Sequence, residues 1–299
     1  MIKSPIIYCC YNRPDLVKKS IIKLAKIRTN KIYIWSDGPK KNVDDINKCK
    51  AVKKIILNTK FNSNVKYFFN KKNLGCKYSI SKAISWMFEK ERSGIILEDD
   101  MIPSSDFFEF CDYGLKKYRN NNKVMMISGT NYMGSGKDSD EYFFSSHYLI
   151  WGWATWKNAW KKYDVEMKGW KDRKIRNYIK RYNTPEVYRF LSNRFDQLHK
   201  DYKDTWDIQW YFTCVKHRWL SMTPKANLVT NIGVKGTHSH NYYDTLYLKV
   251  GKINFNNVKG PKKILANQRF DKKIHLYFNF DKTLIRKLLF KLKFYFNIL

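Results

Sequence analysis

The chain has 299 residues, of which 43% are hydrophobic and 17% aromatic, so it can bury a large core and is excluded from the disordered class. Its 58 Lys and Arg against 26 Asp and Glu leave a net charge of +32, which favours polyanionic partners: nucleic acid, an anionic membrane face or phosphorylated substrates. Part of the Lys, Asn and Ile excess is also what an AT-rich genome produces without any functional cause.

The first 130 residues alternate between short apolar runs and amphipathic stretches. Residues 5–10 read as a buried strand, after which Pro14 opens a helix with Val17, Ile21, Leu24 and Ala25 on one face. A second strand at 31–35 ends in the turn Ser36-Asp37-Gly38-Pro39, and a helix follows over 44–57 with Ile46, Val52, Ile55 and Ile56. The third strand is 65–69, and a helix begins after Asn73-Leu74-Gly75. Residues 94–97 form the fourth strand, then Ser105 or Asp106 caps a helix carrying Phe107, Phe110 and Leu115, and 124–127 is the fifth strand. This alternation predicts an α/β fold, a mostly parallel sheet flanked by helices. Such sheets bind ligands beyond the carboxyl ends of their strands. Asn12, Arg13, Asp37 and the triplet Glu98-Asp99-Asp100 stand at those ends if the first, second and fourth strands are neighbours.

From 140 to 240 the chain is more irregular and aromatic, with a basic helical stretch over 170–203. Trp153, Trp156 and Trp160 have helical spacing, which points to core, and leaves Trp151 and Trp153 as candidates for a wall on which a ligand stacks. A strand is expected at 228–230. Gly233 and Gly236 suit a loop over a phosphate, with Lys235 to pair with it and His238 or His240, the first preferred, to complete a metal shell or touch the phosphate. Gly75 allows close approach of a ligand to the backbone. Beyond 260 the chain is strongly basic, and from 282 it has the profile of a helix lying on an anionic membrane surface or packed on the domain.

The expected organisation is a domain over 1–260, made of halves 1–130 and 131–260, and a basic helical tail over 261–299. The six cysteines show no CxxC or zinc spacing, which fits a reducing cytosol. No signal-peptide stretch opens the chain, and no run of 18 uncharged apolar residues spans a bilayer. The expectation is a cytoplasmic protein, with the tail able to hold it at the inner face of the membrane.

Adjacent carboxylates repel, so three of them at a strand end call for a cation or an exposed turn. A hard ion such as Mn²⁺ or Mg²⁺ takes one or two carboxylates and completes its shell with phosphate and water oxygens. The segments Tyr11-Asn12-Arg13-Pro14, Ser36-Asp37-Gly38, Asn73-Leu74-Gly75 and Ile96-Leu97-Glu98-Asp99-Asp100 occur in the order that resembles the GT-A fold (Rossmann-like) glycosyltransferases. With Asp106-Phe107-Phe108-Glu109, Trp151-Gly152-Trp153 and Thr205-Trp206-Asp207, the similarity extends to the N-acetylglucosaminyltransferase I family and its bacterial relatives.

The resemblance implies that 1–130 is a nucleotide-sugar-binding half and 131–260 an acceptor-binding half, with nucleotide-sugar binding by Asn12, Arg13 and Asp37, the last at the base, and by Glu98 and Asp99 at the sugar or ribose. It implies Asp100 as metal ligand, Trp151, Trp153 and Trp206 on the acceptor side, and Asp207 as catalytic base of an inverting transfer. The departure is that Ile208-Gln209-Trp210 follows Asp207, where the family has a second acid. The implied substrates are a UDP-sugar and a glycan or lipid-linked acceptor. A nucleic-acid-binding protein would need a recognition signature that the chain lacks, so no nucleic acid is expected. A sugar nucleotidyltransferase would carry a Gly- and Arg-rich loop where Cys10-Tyr-Asn-Arg-Pro14 stands.

Overall fold

The runs Ile6–Cys10 (β1), Ile32–Ser36 (β2) and Val124–Ser128 are buried at every position, as strands covered on both faces must be. The computed structural model describes residues 1–133, 140–201, 203–233 and 249–279. Between β1 and β2 lies α1 (Pro14–Ala25), started by Pro14, whose missing N–H costs nothing in the first turn. Next come α2 (Val43–Asn58), β3 (Val65–Phe69), α3 (Gly75–Lys90), β4 (Ser93–Glu98), the short β5 (Met101–Pro103) and α4 (Ser105–Lys117). The chain continues through β6 (Val124–Ser128), β7 (Tyr142–Ser145), β8 (Trp153–Trp156), α5 (Lys157–Trp160), α6 (Arg173–Arg181) and α7 (Pro185–Asp201). It closes with α8 (Asp207–Lys216), β9 (Leu220–Pro224), β10 (Val229–Asn231) and α9 (Gln268–Asn279).

Eight strands form one sheet in the order β3-β2-β1-β4-β8-β6-β9-β7. β3, β2, β1 and β4 run parallel, as do β6 and β9. β8 lies antiparallel between β4 and β6, and β7 is antiparallel to β9. The expected α/β fold is therefore present as a mostly parallel, Rossmann-like sheet flanked by helices. β5 and β10 pair as a separate antiparallel ribbon.

Two expectations need correction. The cap of α4 is Ser104, whose Oγ accepts from Phe107 N at 3.2 Å. Asp106 instead accepts from Ile253 N at 2.9 Å, anchoring a distant segment. Trp153 and Trp156 sit on a strand, not a helix. Their burial, which the spacing suggested, comes from insertion of β8 into the sheet between β4 and β6.

A second, smaller core joins Met167, Trp170, Ile179, Leu191, Phe195, Leu198 and Phe212, so α6 and α7 are fastened to α8. A third cluster buries Phe270 and Ile274 of α9 against Tyr132 and Leu149. The segment from 261 thus folds back onto the body at least as far as α9, while residues 280–299 lie outside the described residues. Among the described residues no helix is long and apolar enough to cross a membrane.

Candidate active site

Because β2, β1 and β4 are adjacent and parallel, their carboxyl ends meet at one edge of the sheet. Cys9 is in register with Glu98, and Cys10 with Ser36. The turn after β1 therefore faces both the triplet after β4 and Asp37 after β2. Arg13 occupies the N-cap of α1, and its guanidinium grips Asp99 with two nitrogens, one of them Nε at 3.4 Å. Nη1 reaches Asp100 at 3.1 Å. One cation thus holds two successive carboxylates in the fork geometry that arginine favours.

That cation does not balance the charge. Burial and the fields of Asp100, Asp99 and Asp207 push Glu98 above the ordinary carboxylate range, against the pull of Arg13. Burial also raises Asp99, though Arg13 beside it opposes the shift. Four carboxylates share the region with one guanidinium, which makes it receptive to a further positive charge. Among the described residues no three His, Cys, Asp or Glu side chains converge as a metal-ligand group. The donors present are oxygen, and one or two carboxylates with phosphate and water are what Mg²⁺ or Mn²⁺ ordinarily takes. The residues fit such an ion.

The remaining side chains take varied places. Asn12 donates to Asp45, a buried carboxylate that also accepts from Tyr11 Oη at 2.6 Å and Lys40 N at 2.5 Å. Burial pushes Asp45 up, yet these hydrogen bonds hold it below its usual value. Asp45 was not among the candidate residues; its signal is the Asn42-Val-Asp-Asp45 helix start, which reads as ordinary capping. Asp37 is 5% exposed and its carboxylate is turned inward, accepting from Gly38 N at 2.9 Å, Leu74 N at 3.1 Å and Asn73 Nδ2 at 3.0 Å. Its oxygens organise residues 73–75. Burial, partly offset by these bonds, pushes it up to about 6.

Asp207 is the first residue of α8 and accepts from Thr205 Oγ1. It is half-buried, and its charge is felt at Glu98, Cys76 and Tyr163, so α8 brings it to the same region as the triplet. Gly75 has φ +76, a left-handed conformation that glycine adopts without strain. Asp204, likewise absent from the candidates, accepts from Cys76 N and Lys77 N at 2.8 and 2.7 Å.

The β5–β10 ribbon begins directly after the triplet. Ile232 N donates to Asp100 O at 2.7 Å, and a Cβ on Gly233 would fall 2.3 Å from an Asp100 oxygen, so only glycine fits. The segment that carries Lys235, His238 and His240 leaves from this point; those three lie outside the described residues.

The tryptophan expectations divide. Trp153 is fully buried and Trp206 is 2% exposed, the two stacked with centroids 5.6 Å apart in the main core. They fill the interior beside Trp210 and cannot form a sugar-facing wall, because no face reaches solvent. Trp151 is half-buried, edge-on to Tyr132 at 5.1 Å.

No family model matches the chain, and no curated protein matches it. Among solved structures it is similar to the mannosyltransferase PcManGT from Pyrobaculum calidifontis in complex with GDP-Man and Mn²⁺. The two are 10% identical, with a TM-score of 0.38 over 71% of this chain and 69% of that one.

Proposed function

We propose that this protein is a metal-dependent glycosyltransferase that moves a sugar from a nucleotide donor to a glycan or lipid-linked acceptor. The observation that carries the reading is the convergence of Glu98-Asp99-Asp100 and Arg13 at the strand edge with Asp207 at the start of α8.

Asn12 and Arg13, fixed by Asp45 and by the triplet, line the donor side with Glu98 and Asp99. Asp37 shapes that side through residues 73–75. Asp100, with His238 from the adjoining segment, is the proposed holder of Mn²⁺ or Mg²⁺. Such an ion, when bound, neutralises charge on a departing diphosphate. Lys235 adds a cation for the same phosphates, and Trp151 remains the acceptor-side candidate.

Asp207 is the proposed base. It takes the proton of the acceptor hydroxyl as that oxygen bonds to the anomeric carbon and the bond from that carbon to the diphosphate oxygen breaks, with inversion. General-base help of this kind contributes ~10²–10⁴ in rate. The proposed donor is a UDP-sugar carrying GlcNAc or another hexose. A lipid-linked acceptor would suit a chain of net charge +32 working at an anionic membrane surface.

The test is a screen of UDP-, GDP- and dTDP-sugars with Mn²⁺, scored by hydrolysis and by thermal stabilisation, which grows with ligand concentration over Kd. Metal-dependent hydrolysis that disappears in Asp100→Ala is the expected result. Full metal-dependent activity in that variant would overturn the assignment.

A further inference from the structure

Residues 73–77 are held from two sides. Asp37, after β2, accepts from Asn73 Nδ2 and Leu74 N. Asp204 accepts from Cys76 N and Lys77 N across a sequence separation of 128 and 127 residues. The first turn of α3 leaves backbone N–H groups without helix partners, and its N-cap Leu74 has no side chain able to take them. A Ser or Asp at position 74 would cap the helix locally. Instead the cap comes from the other half of the chain.

Gly75 makes this approach possible. A Cβ at that position would stand 2.8 Å from one Asp204 oxygen and 3.0 Å from the other. The same end of α3 is caught again by Glu166, which accepts from Lys77 Nζ and Tyr78 Oη, both at 2.7 Å.

Asp204 precedes Asp207 by three residues, an arm that spans at most about 11 Å when fully extended. The arm is stiffened by Thr205 Oγ1 on Asp207 and by Gln209 Nε2 on Thr205 O at 2.5 Å. Tyr163 Oη adds a bond to Trp206 O at 3.1 Å. Fastening Asp204 to α3 therefore restricts where Asp207 can stand relative to the strand-end carboxylates.

We infer that Asp204 is a positioning residue: by capping α3 from a distant part of the chain, it sets the placement of Asp207 against the strand-end carboxylates. The role of Asp207 as base rests on the glycosyltransferase reading; the tether itself does not. Through residues 73–77 the tether also links Asp37, and hence the donor side, to the base.

Two measurements on the full chain test it. In Asp204→Ala, hydrogen exchange is expected to speed at least tenfold at Cys76 and Lys77. It should also speed at Trp210, whose amide closes the first turn of α8 on Trp206 O at 3.3 Å. The hydrolytic kcat, on the best nucleotide-sugar of the donor screen with Mn²⁺, is expected to fall 10- to 100-fold. The Kd of UDP with Mn²⁺ should stay within twofold, and Asp204→Asn, which keeps one acceptor oxygen, should recover part of the lost kcat.

An unchanged kcat in Asp204→Ala would overturn the inference. So would a parallel fall of kcat, UDP affinity and melting temperature, which marks a purely structural cap. If the wild type hydrolyses no nucleotide-sugar, the glycosyltransferase reading falls. The tether is then decided by exchange alone, with unaltered protection at Trp210 counting against it.

Discussion

The donor and acceptor sides of the proposed site are built by different means. On the donor side, Arg13 and the triplet sit at the ends of buried parallel strands, so the ladder of β2, β1 and β4 brings them together. On the acceptor side, Asp207 stands where a loop meets α8, and its place depends on the bonds that Asp204 accepts from α3 and on those that Thr205 and Tyr163 donate. Behind that loop, Trp153, Trp206 and Trp210 plug the core. Sheet register is a cooperative constraint that one substitution rarely breaks, whereas a loop on a few hydrogen bonds moves when one is lost. The donor side should therefore fail through charge, and the acceptor side through position.

The largest expected effect is on the acceptor side. Asp207→Asn removes the proton acceptor while keeping shape, and should lower hydrolytic kcat by ~10²–10⁴. UDP affinity, measured by titration with Mn²⁺, should hold, because the donor side does not rely on Asp207. A loss of affinity equal to the loss of rate would place Asp207 in donor binding instead.

Next is the aromatic plug. Trp153→Ala should cost ~3–5 kcal/mol in urea unfolding, the range for a large aromatic removed from a core. Trp151→Ala, at a half-buried position, should cost much less stability, and any effect should appear in acceptor affinity. The reverse pattern would return Trp153 to the acceptor wall.

This contrast also explains what the sequence made legible. The strand ends were readable because four apolar residues run into Glu98-Asp99-Asp100, and Pro14 marks a helix start just after β1. β8 was not readable, since Trp-Ala-Thr-Trp carries no alternation and its partners β4 and β6 are distant in sequence. Asp45 and Asp204 were missed for a related reason. Their partners are hydroxyl, amide and backbone N–H groups, and most of them come from other elements, so no local pattern announces them. Asp37 was identified as a residue that matters, but its inward turn depends on residues 73–74, which only the tertiary fold brings near.

Arg13→Gln tests whether the donor side fails through charge. Asp99 is 2% exposed, and the change leaves it without its cation. Breaking a fully buried pair costs ~3–5 kcal/mol. Arg13 is itself 35% exposed, and water screens the pair, so about 2–3 kcal/mol in urea unfolding is the better expectation. Added Mn²⁺ should restore part of this stability, because it supplies the missing positive charge. No rescue by metal would mean that the carboxylates are not free to take the ion.

The smallest effect concerns Asp37, and its sign follows from burial. Its folded-state value of about 6 stands above the ordinary 3.8, so the folded protein holds this proton more tightly than the unfolded chain does. The stability it contributes is fully present below the unfolded value and is lost as pH rises through about 6. Asp99 and Glu98 are shifted in the same direction, so the wild type should lose stability over this window. Asp37→Asn removes one of these protons, and the slope should flatten by at most ~1.4 kcal/mol per pH unit. The variant is also expected to be less stable at pH 4, because an amide nitrogen would face Leu74 N or Asn73 Nδ2, donor against donor. Melting temperatures of both proteins from pH 4 to 7 separate the two effects: the lost acceptor shifts the whole curve, and the lost proton changes its slope. An unchanged slope would mean that Asp37 titrates as an ordinary carboxylate, its hydrogen bonds offsetting its burial in full, whereas an unshifted curve at pH 4 would mean that residues 73–75 are organised without it.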